Sequence, residues 1–440
     1  MKTFKGGVHP NEYKELTQEQ LIEDCPSPGM VYLALSQHLG KPAKSVVKAG
    51  DKVEEGTLVA EADGFISAPI HSPVTGTVKK IGKHPHVLGQ LLDTIIIERD
   101  KEAEPKKWER KDIKVEDVDK EQFINAIKDM GVVGLGGAGF PTFVKFMTKE
   151  GQHINRVVIN ACECEPYVNV DYRAMLEEID WFVTGLKLIL QATDVDEIVV
   201  GIEDNKPEAI KILRNNLDHL ERIRVEPVKT KYPQGGEKML IKAALDLEVP
   251  RGGLPLDVGV VVVNVNTVIA ITNAIFYDKP ILEKIITVSG LGVNNPKNVR
   301  AKVGTPFSEL VDFCGGLNEK VCRLVVGGPM MGFALTNQNA AVLKTTTGLL
   351  ALTEKEIGNT KTEPCLKCGS CVGHCPMGLV PSELAKYIEY GRIDLAEKIG
   401  LMDCMECGSC VFECPSHRPI VQLIKVGKLK KRDLDNKKKG

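Results

Sequence analysis

No charge of either sign dominates this chain. Its 57 Lys and Arg nearly cancel its 59 Asp and Glu, so the overall balance gives no footing for nucleic acid. A long apolar run is missing too. The most apolar stretch, Val258–Phe276, is interrupted by Asn264, Asn266 and Asn273. It reads as a buried strand turning into a helix, not as a membrane span. Met1–Lys14 lacks the basic and apolar regions of a signal peptide, which points to a reducing cytoplasm. In that setting the 13 Cys do not read as a disulfide framework. The 440 residues suffice for two to four domains with substantial cores.

What is present is concentrated near the C-terminal end, where one pattern is written twice. Cys365-x-x-Cys368-x-x-Cys371-x-x-x-Cys375-Pro376 recurs 39 residues later as Cys404-x-x-Cys407-x-x-Cys410-x-x-x-Cys414-Pro415. Three thiolates spaced in this way on a tight loop hold three irons of one cubane, and the distant Cys before Pro completes the other cluster. The spacing therefore predicts one [4Fe–4S] cluster on Cys365, Cys368, Cys371 and Cys414, and a second on Cys404, Cys407, Cys410 and Cys375. Zinc, which takes four ligands usually as two separated pairs, gives no reason for a duplicated triplet plus Cys-Pro. Between the Cys sets, Pro381–Tyr390 and Arg392–Ile399 read as a helix pair, so residues 356–425 form a mostly helical ferredoxin domain. Residues 426–440, rich in Lys, read as a solvated basic tail that could meet anionic lipid or an acidic partner.

Ahead of the repeat, residues 1–30 look irregular, and His9 within Phe4-Lys5-Gly6-Gly7-Val8-His9-Pro10 reads as part of a turn rather than a metal ligand. Residues 31–100 alternate short apolar runs with turns, an all-β pattern. They look like a biotinyl/lipoyl-type barrel-sandwich hybrid. Its tip, Glu61-Ala62-Asp63-Gly64-Phe65, has no Lys to modify, which removes the swinging-arm function and leaves a structural module. Residues 101–120 are dominated by charge and read as a linker.

Residues 121–280 alternate strands and helices. Arg156–Asn160, Glu197–Ile202, Ile223–Val228 and Val258–Val265 are expected as strands. Glu121–Met130, Asp171–Gln191, Pro207–Leu217, Glu237–Leu245 and Thr267–Tyr277 are expected as helices. This implies an α/β domain with a largely parallel sheet, whose ligands sit at the carboxyl ends of its strands. Gly134-Leu135-Gly136-Gly137-Ala138-Gly139-Phe140-Pro141-Thr142 satisfies G-x-G-x-x-G. The segment before it looks helical, so the usual dinucleotide fingerprint is rejected. A Gly-rich loop can still cradle phosphate through bare N–H groups, with Lys145 adding a charge. Cys162 and Cys164 have no partner pair nearby for a metal. Glu163 and Glu165 suit ribose hydroxyls, a flavin or a nicotinamide amide better than phosphate. Residues 281–355 change texture and suggest a small β-grasp unit, with Cys314 and Cys322 as buried small hydrophobes.

Taken in order, these motifs resemble the RnfC component of the Rnf electron-transport complex over nearly the whole chain. The α/β core is also similar to the flavin subunit of respiratory complex I, which binds FMN and oxidises NADH. By that similarity Gly136, Gly137, Gly139, Lys145, Asn264, Asn266 and Thr267 would surround the FMN phosphate and ribityl. Asn160, Glu163, Tyr232 and Gly235 would lie near the flavin ring, and Phe140, Glu165 and Glu237 would help hold NAD(H). The chain departs from the complex I pattern where Leu135 replaces an Arg, Cys162 an acidic residue and Gly236 a Glu. It also carries two clusters where the complex I flavin subunit has one.

The resemblance implies a peripheral, cytoplasmic-side subunit of a membrane ion-translocating ferredoxin:NAD+ oxidoreductase, with the other Rnf subunits as partners and ferredoxin met indirectly. It implies non-covalent FMN, NAD(H) and two [4Fe–4S] clusters. The competing readings are a soluble NADH-oxidising flavin and iron–sulfur subunit of another complex, or an electron-wire adaptor without flavin.

Overall fold

β-Branched residues cluster in four short runs, and the pleat sends alternate members of each run to opposite faces. In the computed structural model, which describes residues 1–149 and 151–439, these runs are the strands Arg156–Ala161, Glu197–Glu203, Ile223–Val228 and Val260–Asn264. All four pair in parallel, with Arg156–Ala161 between Glu197–Glu203 and Val260–Asn264 and with Ile223–Val228 at the edge. Val157, Ile159, Ile198, Val200, Val261 and Val263 face the main core, where Phe182, Leu186 and Val268 cover them. Val158, Val199, Val260 and Val262 face the other way, onto Leu240, Ile241 and Ala244 of the helix Glu237–Leu245.

The expected helix Asp171–Gln191 is two helices, Val170–Glu177 and Ile179–Thr193, broken at Glu178, whose φ is −123°. The break coincides with an ion pair of 2.7 Å between Glu178 and Arg300 of the β-grasp unit.

The barrel is built from two antiparallel sheets. One holds Met30–Ala34, Leu91–Arg99, Gly76–Pro85 and Lys52–Val53, the other Lys44–Ser45, Leu58–Glu61 and Ile70–His71. Its buried residues Val31, Leu33, Val53, Val59, Val78, Ile95 and Ile97 belong to the same core as the α/β sheet. The barrel is thus packed onto the flavin-type domain. The charged segment 101–120 is held down as well. Trp108 packs against Gly56, and Lys111 donates its N–H to Phe276 O at 2.7 Å and pairs with Asp278.

The β-grasp unit is a six-stranded sheet whose outermost member is Ile22–Asp24, parallel to Lys297–Lys302. Residues 1–30 are therefore not all irregular, because the N-terminal segment lends that sheet an edge strand. The stretch read as a solvated basic tail is helical. Ile420–Lys439 is one helix, seeded by the buried Ile420, Val421 and Ile424 in the ferredoxin core and prolonged by Lys428–Glu406 and Lys431–Glu397 ion pairs. Gly440 lies outside the described residues. Among the described residues no helix is long and apolar enough to cross a membrane.

Lys344 closes the junction of three domains. Its fully buried ammonium donates to Pro69 O of the barrel at 2.8 Å and to Gly131 O before the Gly-rich loop at 2.9 Å. Burial pushes its pKa from the ordinary 10.5 down to about 7. Between those values the unfolded chain holds a proton that the native amine has released, so native stability rises with pH. Relative to Lys344→Met, the wild type is expected to gain up to about 1.4 kcal/mol per pH unit above neutrality, read from denaturant midpoints at pH 7 and pH 9. An equal gap at both values would mean that the native amine stays charged.

Candidate functional site

The Gly-rich loop leaves the helix Lys120–Asp129 and is pinched shut at its base. Gly134 donates its N–H to Phe140 O at 2.8 Å, and Gly139 donates to Gly134 O at 3.1 Å. Gly136, Gly137 and Ala138 project into solvent, and among the described residues their N–H groups have no protein acceptor. Two glycines are required by the geometry. Gly139 has φ +65°, and a Cβ there would stand 2.6 Å from Thr345 Cγ2. At Gly136 a Cβ would press to 3.1 Å from Asn264 Nδ2. The helix that follows, Thr142–Phe146, is only five residues long. Anion binding here would rest on the free loop N–H groups more than on a helix dipole.

The loop lies against the N-terminus of the helix Val265–Tyr277. Leu135 donates its N–H to Thr267 Oγ1 at 2.9 Å, and Asn264 caps that helix by accepting from the N–H groups of Asn266 and Thr267. The Asn264 and Asn266 amides each donate to Asp171 at 2.7 Å. Sequence reasoning missed Asp171 and its neighbour Lys284. Burial, then the charge of Glu163, raises the Asp171 carboxyl. Burial lowers Lys284, and Asp171 and Glu163 pull it back up. Lys284 donates to Leu135 O at 3.2 Å. Neither residue stands in a motif, and only their burial in the folded chain marks them.

Glu163, placed near the flavin ring by resemblance, accepts the N–H groups of Asp171 and Tyr172 at 2.9 and 3.2 Å. It caps the helix Val170–Glu177. Lys145 and Glu237 pair at 3.0 Å, and Lys145 also donates to Val262 O. Asn160 donates to Gly235 O at 2.7 Å. A Cβ on Gly235 would fall 2.2 Å from Cys162 O, so the backbones meet where only glycine fits. Phe140 is half-buried at the end of the Gly-rich loop.

Glu165 meets the β-grasp unit. Its two oxygens accept the N–H groups of Met330 and Met331, each at 3.0 Å. Burial raises its carboxyl to about 7, while those two donors and Lys14 act to lower it. In this structure Glu165 is the socket for a β-grasp turn.

Cys162 and Cys164 part company. Cys162 is buried under the sheet and donates to Gly201 O, whereas Cys164 accepts from Gly235 N–H and packs beside Tyr232 and Met405. The C-x-C spacing does not make a ligand pair.

The two Cys sets show one backbone written twice. Lys367 and Glu406 are left-handed at φ +55° and +60°, Gly369 and Gly408 at +79° and +86°, and a one-turn helix follows each, Ser370–Gly373 and Ser409–Phe412. Cys404 is pushed up to about 11 by burial, against the Glu406 N–H and Lys428 that lower it, with Cys407 and Cys375 adding to the rise. Cys410 is raised by burial and then by Cys404, Cys407 and Cys375. Cys375 is thus a neighbour of the second triplet, and so is Cys371. In the first set Cys365 and Cys368 are exposed, Cys371 is buried and Cys414 half-buried. Among the described residues no three such side chains are closed around a single ion. A cubane holds its thiolates at its corners, farther apart than the ligands of one ion, and the duplicated loops suit that arrangement.

The second set abuts the α/β domain. The Tyr232 hydroxyl donates to Cys407 O at 2.6 Å, and Val8, Tyr232, Cys407, Cys164, Met330 and Met405 form one apolar cluster. The N-terminal strap seals it. Val8 and Tyr232 exchange backbone bonds of 2.8 and 2.9 Å, and Gly7 donates to His374 O at 2.9 Å.

The free loop N–H groups, Lys145 and the capped Asn264-Val265-Asn266-Thr267 turn form a donor set that fits the phosphate and ribityl of FMN. Lys145→Ala is expected to lower FMN retention at least tenfold with iron content unchanged, measured by flavin fluorescence and iron assay after anaerobic reconstitution. Loss of iron in parallel would place Lys145 in the fold instead.

Four family models match consecutive parts of the chain: an RnfC barrel sandwich hybrid domain over residues 2–102, a Nuo51 FMN-binding domain over 127–273, an SLBB domain over 285–334 and a 4Fe-4S dicluster domain over 358–415. The chain is 40% identical to the C component of the proton-translocating ferredoxin:NAD(+) oxidoreductase complex of Clostridium ljungdahlii, covering 100% of this chain and 96% of that one. It is 39% identical to the corresponding component of the Na(+)-translocating complex of Acetobacterium woodii, over 97% of this chain and 96% of the relative. The corresponding component of the ion-translocating oxidoreductase complex of Rhodobacter capsulatus matches at 41%, over 99% and 84%. Among solved structures, a chain of an NAD+-reducing [NiFe]-hydrogenase shares the fold with a TM-score of 0.50 at 18% identity, over 70% of this chain and 63% of that chain. With such identities over nearly its full length, the chain belongs to the RnfC family, the C components of the Rnf ion-translocating ferredoxin:NAD(+) oxidoreductase complexes.

Proposed function

We propose that this chain exchanges hydride with NAD(H) at FMN and single electrons at two [4Fe–4S] clusters, as a peripheral subunit on the cytoplasmic side of an ion-translocating membrane complex. Bound FMN takes up or gives electrons in pairs with nicotinamide and singly with iron–sulfur clusters, which is the conversion such a chain needs. The protein's part is positioning. The Gly136–Ala138 N–H groups and Lys145 hold the phosphate, and Asp171 fixes the Asn264 and Asn266 amides. Gly235 lets the chain approach closely beside Asn160, and Glu237 stands next to Lys145 at the expected nicotinamide side.

One observation carries the reading. The segments assigned to the flavin ring and the loop carrying Cys407 share a hydrogen bond and an apolar seam in a single chain. It also supports an order of the clusters. The Cys404, Cys407, Cys410 and Cys375 set faces the flavin domain, and the Cys365, Cys368, Cys371 and Cys414 set, with its two exposed thiols, faces outward to the next carrier.

Anaerobic reconstitution tests the function. The holoprotein is expected to hold about eight irons and one FMN and to reduce ferricyanide with NADH. Eight irons without flavin or NADH oxidation would leave an electron wire and refute the catalytic reading. The order has its own test by EPR of NADH-reduced protein. Cys365→Ser should leave the inner cluster reducible, whereas Cys375→Ser should abolish rapid reduction of either cluster. The reverse pattern would invert the order.

A further inference from the structure

The helix Ile420–Lys439 has two unlike faces. Inward, Ile420, Val421 and Ile424 are buried in the ferredoxin core, and Gly427 lies on Ile388. Lys428 and Lys431 are neutralised by Glu406 at 2.7 Å and Glu397 at 3.0 Å. Outward, Val426, Leu429, Lys430, Asp433, Leu434 and Lys437 recur at helical spacing, all exposed, with Arg432 exposed beside them. Leu429 is 58% and Leu434 47% exposed, which nothing in the chain's own packing requires.

Charge is segregated in the same place. Residues 425–439 carry eight Lys or Arg and two Asp, net +6, in a chain of net charge −2. The rest of the molecule is therefore about as acidic as this helix is basic.

We propose that the outer face of this helix docks on an anionic lipid bilayer, with Lys430, Arg432 and Lys437 at headgroup phosphates and Val426, Leu429 and Leu434 entering the interfacial layer. Charge alone would suit an acidic protein equally. The leucines decide for lipid, because they alternate with the lysines along one long face and present no separate apolar anchor for a pocket. A bilayer surface offers anions and hydrocarbon along the whole of such a face, and lysine stems can lie among the apolar groups while their ammoniums reach phosphate. A polybasic helix gains about one kT or more per cation near such a surface, while the acidic remainder of the chain is repelled, which orients the molecule. Since this helix packs inward on the cluster-binding fold, docking would set the ferredoxin domain beside the membrane. The proposal does not rest on the redox reading, and its test needs no nucleotide.

The test is co-sedimentation of the anaerobically reconstituted full chain with phosphatidylglycerol/phosphatidylcholine vesicles, against phosphatidylcholine alone, at low and high salt. The wild type is expected to bind the anionic vesicles and to lose most of that binding at high salt. Lys430→Glu, Arg432→Glu and Lys437→Glu combined should weaken binding by more than about tenfold. Leu429→Ser with Leu434→Ser should remove the binding that survives salt. Unchanged iron content and melting temperature show that each variant is folded. Equal binding by wild type and the triple variant overturns the proposal, as does failure of the wild type to bind anionic vesicles, which would assign the face to an acidic protein.

Discussion

Tyr232 ties together the parts that electron transfer requires to be fixed. Its ring is 1% exposed, its backbone pairs in both directions with Val8, and its hydroxyl reaches the carbonyl of Cys407. Three stretches remote in sequence, the N-terminal strap, the third strand-end loop and the second Cys triplet, are thereby set at one spacing. Tyr232 and Val8 are each 1% exposed, so losing one partner would leave a buried polar group unpaired. The strap contributes through Gly6 and Gly7, whose left-handed backbones let the chain pass where a Cβ would be 2.9 Å from Cys375 O or 2.6 Å from Tyr232 O. The Phe-x-Gly-Gly start, which looked like an isolated turn, is the clasp between the α/β domain and the Cys-repeat domain.

A second constraint is electrostatic. At the strand ends the fold buries charges that would be costly without compensation. Glu203 is raised to about 7 by burial, with Lys14 nearby and the Lys231 N–H holding it down. Lys206 is lowered to about 8 by the same burial, with Lys14 adding to the fall. Asp171, Glu163 and Lys284 form a comparable group beneath the Gly-rich loop. Their work is orientation. Asp171 fixes two asparagine amides, Glu163 caps a helix, and Lys284 pins a loop carbonyl. Such groups cluster where a fold must hold polar ligands in one geometry.

Much of the architecture was legible because local pattern and tertiary role agree. The four strands carry β-branched runs whose alternate residues divide between two cores, and the Cys repeat shows its duplication in the backbone as plainly as in the residues. What escaped depends on contacts between distant segments. Ile22–Asp24 becomes a strand only because Lys297–Lys302 offers it an edge. The basic C-terminal stretch becomes a helix because Glu406 and Glu397 accept two of its cations. Glu165 also holds the β-grasp turn through the Met330 and Met331 N–H groups, a contact its residue type did not announce. None of these partners can be paired by spacing along the chain.

The departures from the complex I pattern have physical reasons in this fold. Leu135 turns inward at 6% exposure, and Lys284 sits on the Leu135 carbonyl. Cys162 replaces an acid at a position sunk beneath the sheet, where its thiol finds Gly201 O and a carboxylate would lack a cationic partner. At Gly236 the reason lies in the ferredoxin domain, because a Cβ there would stand 2.6 Å from Met405 Cε. Met405 follows Cys404 in the second Cys set, so a side chain at 236 would press on the flexible end of Met405. Both 162 and 236 are closely packed positions, and at 236 that packing sets the Met405 loop of the ferredoxin domain against the α/β domain.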